Sequence, residues 1–124
     1  VSPGFIDLHT HSDFTLIVNG KAESQVHQGV TTEVVGQCGH SVAPLRHRDD
    51  IARHIVGDVD LSEIPGWQSF GEYLEALEQQ ELGVNVAAFV GHGTVHHAVM
   101  GDDLRLPEPE EVDQMADLVR QSFE

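Results

Sequence analysis

Val1-Ser-Pro-Gly-Phe-Ile-Asp-Leu-His-Thr-His-Ser-Asp13 opens the chain, and its reading decides the fold. Pro3-Gly4 punctuates a turn, after which Phe5 to His11 has the pattern of a β-strand. Strand residues two apart share a face, so Phe5, Asp7, His9 and His11 line one side and Ile6, Leu8 and Thr10 the other. With Ile6 and Leu8 packed inward, two imidazoles converge on the free side at the strand's C-terminal end. Two converging imidazoles suggest a metal site.

Outward from that strand the chain alternates. Residues 21–29 form a short helical candidate with Ala22 and Val26 facing inward, and Val30-Thr-Thr-Glu-Val-Val-Gly36 is a β-branched strand. It runs into Gln37-Cys38-Gly39-His40-Ser41. From Val42 to Gly66 the text is irregular, a long loop with room for one short helix at Ile51, Ile55 and Val56. Ser69 then opens a helix that stops before Gly83. Ser69 and Glu72 have capping-box spacing, and Phe70, Tyr73, Leu74 and Leu77 form its apolar stripe. Val84–Val90 is nearly all apolar, as in a parallel strand buried on both faces, and Gly91-His92-Gly93 follows it. A last helix begins near Pro109, with Val112, Met115, Ala116, Val119 and Phe123 as its buried stripe. Strand and helix thus alternate three times, which predicts an α/β fold of parallel strands joined by crossovers. His9, His11, Cys38 and His92 all fall at strand C-terminal ends, where such folds carry their sites.

Composition narrows the partners. Among 124 residues, 21 Asp and Glu against 6 Lys and Arg give a formal charge of −15. That field repels phosphate backbones and anionic bilayers, so neither nucleic acid nor a membrane is expected as a partner. No apolar run approaches the roughly 20 residues of a membrane span, and within these residues no charged n-region precedes a signal-like core. The expectation is a soluble, cytoplasmic protein. Cys38 is the only cysteine, which rules out an intrachain disulfide and leaves either an inert core thiol or a ligand. Phosphate-cradling glycine loops, Gly-x-Ser-x-Gly elbows and Cys-x-x-Cys pairs are lacking.

Cys38 sits between Gly36 and Gly39, which allow a tight turn that exposes a side chain at a strand end. Two imidazoles and a thiolate are three soft donors, the number a catalytic zinc uses beside an open position, and they disfavour magnesium and calcium. His9, His11 and Cys38 are therefore the candidate metal ligands, with zinc the expected cofactor. Asp7 either orients an imidazole or is purely structural. His92, between two glycines, is a candidate substrate contact, ligand or cap. His40 is a weaker site candidate than His92 and equally reads as a solvated loop residue, His27, His47, His54, His96 and His97 read as surface or loop residues, and the Glu72, Glu75, Glu78, Glu81 run reads as a solvated helix face.

These residues carry a resemblance. Pro3 to His11 matches the Pro-Gly-Phe-Ile-Asp-x-His-x-His first strand of the metal-dependent amidohydrolase superfamily. More narrowly, the chain resembles the N-acyl-D-amino-acid deacylases, or D-aminoacylases. The further matches are Gly29-Val-Thr-Thr-Glu-Val-Val-Gly-Gln-Cys-Gly-His-Ser-Val-Ala-Pro-Leu45, Ser69-Phe-Gly-Glu-Tyr-Leu-Glu-Ala-Leu77, Asn85-Val-Ala-Ala-Phe-Val-Gly-His-Gly-Thr94 and Ala98-Val-Met-Gly101. The resemblance implies a (β/α)8 barrel, with His9 and His11 as first-strand ligands and Cys38 as a metal-bound thiolate. It implies hydrolysis of small-molecule N-acyl-D-amino acids by metal-activated water, a carboxylate handling the proton. Gln37 departs from a more usual Asn, and Val95-His96-His97 from a stretch that commonly carries a basic residue.

The family's remaining ligands and its catalytic Asp have no counterpart here, so no catalytic residue is expected within these 124 residues. Such a barrel needs about 250 residues. Residues 1–124 are thus expected to be one incomplete barrel domain of about three βα units, a catalytically inactive fragment with sequence missing upstream and downstream. Its open strand edges should make it self-associate. Two alternatives stand beside this reading. One is another amidohydrolase of dihydroorotase, hydantoinase or deaminase type, against which Cys38 argues. The other is a non-catalytic metal-binding or assembly module.

Overall fold

The computed structural model describes residues 1–54 and 64–124. Ile55 and Val56, assigned above to a short helix, lie outside the described residues. A 3-10 helix does occupy Arg48–His54.

Three strands, β1 (Phe5–Asp7), β2 (Val30–Val35) and β3 (Asn85–Ala88), form one parallel sheet in the order β1-β2-β3. This is the α/β architecture that the alternation predicts. Between β1 and β2 lie two short helices, α1 (Thr15–Val18) and α2 (Glu23–His27). Helix α3 (Phe70–Glu78) precedes β3, and α4 (His92–Met100) and α5 (Pro109–Gln121) follow it. Among the described residues, no helix is long and apolar enough to cross a membrane.

α3 forms where its capping box predicts. The Ser69 side chain accepts the Glu72 N–H at 3.2 Å, while Glu72 Oε2 accepts the Ser69 N–H at 3.0 Å. Phe70, Tyr73, Ala76 and Leu77 turn inward from it onto Phe14, Leu16, Val35, Trp67 and Val84. Trp67 is fully buried and donates its indole N–H to the Val42 carbonyl at 2.7 Å, which fixes the loop after β2 against the core. The core therefore lies on one face of the sheet, under α1, α3 and that loop.

Four expectations change. The first strand ends at Asp7 rather than His11, and Ile6 and Leu8 are 59% and 70% exposed, not packed. Val26 is exposed: no residue of α2 is buried, and Ala22, just before the helix, is what joins the core. β3 is not buried on both faces: Asn85 and Ala87 are exposed. The α5 stripe is amphipathic as read, yet no α5 residue is buried and Val112, Val119 and Phe123 are solvent-exposed. Period and propensity give the apolar face of an element, but not what packs upon it.

α4 is an addition. His96 and His97 lie within it and are half-buried rather than in a loop. Its sequence has a glycine and β-branched residues, poor helix formers. Tertiary bonds hold its start instead. The Gly93 and Thr94 N–H groups donate to the Gly39 carbonyl at 2.9 and 3.3 Å, and Ser41 N–H donates to Thr94 Oγ1 at 2.8 Å.

Candidate metal centre

The three candidate ligands come from two loops at the same end of the sheet. Past Asp7 the chain leaves the β1 ladder, and a local bond shapes the turn: Asp7 Oδ1 accepts the His9 N–H at 3.1 Å. Aspartate commonly closes turns by accepting an N–H two residues on. That carboxylate therefore shapes backbone and does not orient an imidazole through this bond. Thr10 N–H then reaches the Val34 carbonyl on β2 at 3.4 Å. His9 and His11 stand edge to face with ring centroids 5.6 Å apart.

Cys38 arrives from β2 through a run of left-handed backbone. Gly36, Cys38 and Gly39 have φ of +79°, +56° and +77°. Glycine is required at position 36 on a second count, since an added Cβ would lie 2.0 Å from the Phe89 carbonyl oxygen. The turn presents the Cys38 side chain to solvent with Sγ 3.1 Å from His9 Nε2. One donor atom each from His9, His11 and Cys38 lies within 4.8 Å of the others. A tetrahedral zinc with bonds near 2.0 Å to nitrogen and 2.3 Å to sulfur sets its donors about 3.3–3.5 Å apart. The donor types suit one such ion, and binding it would draw donors that lie within 4.8 Å of one another slightly closer.

Beneath the donors, several polar groups tie the loop after β1 to β2. Gln37 Nε2 donates to the Leu8 and Val34 carbonyls at 2.9 and 3.2 Å. Buried Asp13 accepts the Gly36 N–H at 2.8 Å through Oδ1, and its own carbonyl accepts the Tyr73 hydroxyl at 2.9 Å. Burial raises the Asp13 pKa, partly offset by hydrogen bonds from backbone N–H groups and by the nearby His11. It also pushes the Tyr73 hydroxyl up, with the Asp13 charge adding to the effect. Ser12 donates to the Glu33 carboxylate, which is fully buried. Ser12, Asp13 and Glu33 were not among the residues singled out from sequence. The available signal was Glu33 itself, one acid in a strand of valine and threonine.

His92 is not brought into the cluster. It begins α4 and lines a groove of about 690 Å³ with Val95, Val112, Met115 and Val119, between α4 and α5. His40 does adjoin the centre, lining a cleft of about 110 Å³ with His11, Asp13 and Ser41.

The comparisons with known proteins agree with this architecture. The Amidohydrolase family model matches residues 1–124. D-aminoacylase of Alcaligenes xylosoxydans xylosoxydans is 41% identical over 126 residues, covering 99% of this chain and 25% of the relative. A D-aminoacylase structure described for its binuclear metal center superposes with a TM-score of 0.82 at 40% identity, over 98% of this chain and 25% of that one. N-acyl-D-glutamate deacylase from Bordetella bronchiseptica, solved with zinc and a phosphonate inhibitor, gives a TM-score of 0.78 at 33% identity, over 97% of this chain and 25% of that one. The chain thus spans about a quarter of the length of these relatives. The parallel sheet, the position of its loops and a family match along the whole length agree: the chain belongs to the amidohydrolase family, within which it resembles the N-acyl-D-amino-acid deacylases.

Proposed function

We propose that His9, His11 and Cys38 hold zinc in a hydrolase that deacylates N-acyl-D-amino acids. The observation that carries this is the convergence of two imidazoles and a thiolate within 4.8 Å at the end of β1 and β2. The names of the similar proteins supply the substrate class, an N-acyl-D-amino acid. Zinc bound there would polarise the amide carbonyl and lower the pKa of a bound water. In the net reaction water's oxygen joins the acyl carbon, the C–N bond breaks, and the amine leaves with a proton.

The chain's own acids near the cluster do not serve that proton transfer. Asp7 and Asp13 each accept a backbone N–H, and Asp13 is buried as well. The proton-handling carboxylate is therefore assigned to residues outside this set. His92 is assigned a substrate contact only on its position at the end of β3, and none of the three donors lines its groove. Cys38, exposed and uncrosslinked, must stay reduced to ligate, which favours the cytoplasm as its compartment.

The test is zinc content and turnover in the whole protein. Wild type should contain zinc and hydrolyse an N-acetyl-D-amino acid, lose activity to a chelator and regain it with zinc. Cys38→Ala and His11→Ala should each lose zinc at least tenfold. Full zinc occupancy in both variants, or hydrolysis untouched by chelation, would overturn the proposal.

A further inference from the structure

Among the described residues, Glu33 alone has a buried side-chain polar atom without a hydrogen-bond partner. It is fully buried, its Oε2 accepts the Ser12 hydroxyl, and its Oε1 has no hydrogen-bond partner. A carboxylate removed from water with half its acceptors unmet is strongly unfavourable, and a leucine there would avoid the penalty. Glu33 shares a face of β2 with Val35, which belongs to the apolar core. Packing alone therefore gives no reason for an acid at this position.

What Glu33 holds gives one. Ser12 follows His11, and its hydroxyl also receives the Thr10 hydroxyl at 3.4 Å. Thr10 lies between His9 and His11. The Ser12 carbonyl, in turn, accepts the Leu16 N–H at 2.9 Å and the Thr15 hydroxyl at 3.2 Å, so the same residue starts α1. His11 is thus bracketed by Ser12, which bonds the carboxylate, and by Thr10, which bonds Ser12. That carboxylate sits on the strand that leads, five positions later, to Cys38. Because the β1 ladder has ended at Asp7, such side-chain bonds do for the His-x-His loop what strand pairing would otherwise do.

We infer that Glu33 is a positioning residue for the metal centre, clamping the His9–His11 loop to β2 through Ser12 so that imidazoles and thiolate are held close together before metal arrives. This rests on the ligand assignment proposed above. Preorganised ligands bind more tightly because less ordering is left to be done on binding. Loss of a group that orients a ligand commonly costs 10–100-fold in metal affinity.

The experiment compares Glu33→Leu, Glu33→Gln and Ser12→Ala in the whole protein, by zinc competition against a chelating dye and by denaturant unfolding of the metal-free form. Glu33→Leu should weaken zinc about 10–100-fold while leaving metal-free stability unchanged or higher, since an apolar group relieves the buried charge. Glu33→Gln keeps an acceptor for Ser12 and should retain affinity within about threefold of wild type, far from the loss above. In the cobalt-substituted protein, Glu33→Leu should alter the visible bands that report ligand geometry, and Glu33→Gln should not. Ser12→Ala, which leaves the carboxylate in place, should weaken zinc as Glu33→Leu does, and it decides the matter if the leucine variant does not fold. Wild-type affinity in Ser12→Ala or in folded Glu33→Leu overturns the clamp. If Cys38→Ala and His11→Ala lose zinc in the same assay, the ligand assignment survives that failure. If they do not, both fall together.

Discussion

Cys38 occupies a left-handed backbone, φ +56°, that a residue with a Cβ adopts at a cost of about 1–2 kcal/mol. Glycine would be free of that cost, though its floppier unfolded chain takes back about 0.5–1 kcal/mol. Cys38→Gly should therefore leave the metal-free protein as stable as wild type or slightly more so, by up to about 1 kcal/mol, while abolishing zinc retention. Unfolding in chelator, paired with metal analysis, checks both halves. A clear loss of metal-free stability would mean that the thiol packs rather than ligates. The turn was legible in the sequence, because Gly36 and Gly39 on either side of a lone cysteine announce unusual backbone. Glu33 was not. A single acid in a strand stands out, but its sequence does not say that it is buried or that Ser12, 21 residues earlier, bonds it.

At the scale of elements, α5 shows how local chemistry makes a helix start without help from the core. Glu108 and Glu111 form a reciprocal capping box, and Pro109 opens the first turn. Arg105 reaches Glu111 with both guanidinium nitrogens, one at 2.7 Å, and also bonds Asp103. The Arg105 bonds, with the Glu108 N–H, hold Glu111 down at about 2 from a usual 4.5. A carboxylate whose native pKa lies below its unfolded one stabilises the fold above the unfolded value, and the contribution disappears as pH falls toward the native value. Amide protection in the first turn of α5 should therefore be constant above pH 4.5 and fall between 4.5 and 2, with the Glu111 carboxyl resonance titrating at the low end. Arg105→Ala should move that titration toward the ordinary glutamate range. A Glu111 midpoint near 4.5 in the wild type would refute the pairing. α3 and α5 were readable from caps and period, both local signals. α4 was not, because Gly39 and Ser41, about 50 residues earlier in sequence, satisfy its first turn and override poor propensity.

For the molecule as a whole, the parallel three-strand plan follows from alternation, but the exposure of its faces does not. β1 and β3 are the outer strands of the sheet, and Phe5, Ile6, Leu8 and Phe89 are each more than half exposed beside them. Val112 on α5 and Phe123 just after it add further exposed apolar side chains. Unpaired N–H and C=O groups along an outer strand, flanked by apolar side chains, are a template for pairing with another copy. Opposing this is a net charge of −15 carried by every copy, a repulsion that salt screens. The two effects separate experimentally. These 124 residues, expressed by themselves, should self-associate, and the associated fraction should grow with ionic strength as the repulsion is screened while the apolar contact is not. Sedimentation velocity across a salt series reads both, and Ile6→Glu with Leu8→Glu should restore the monomer by replacing exposed apolar side chains at and just after β1 with the charge every copy already carries. A monomer at every salt concentration, with the apolar side chains unaltered, would show that strand edges and exposed faces are covered within the chain itself.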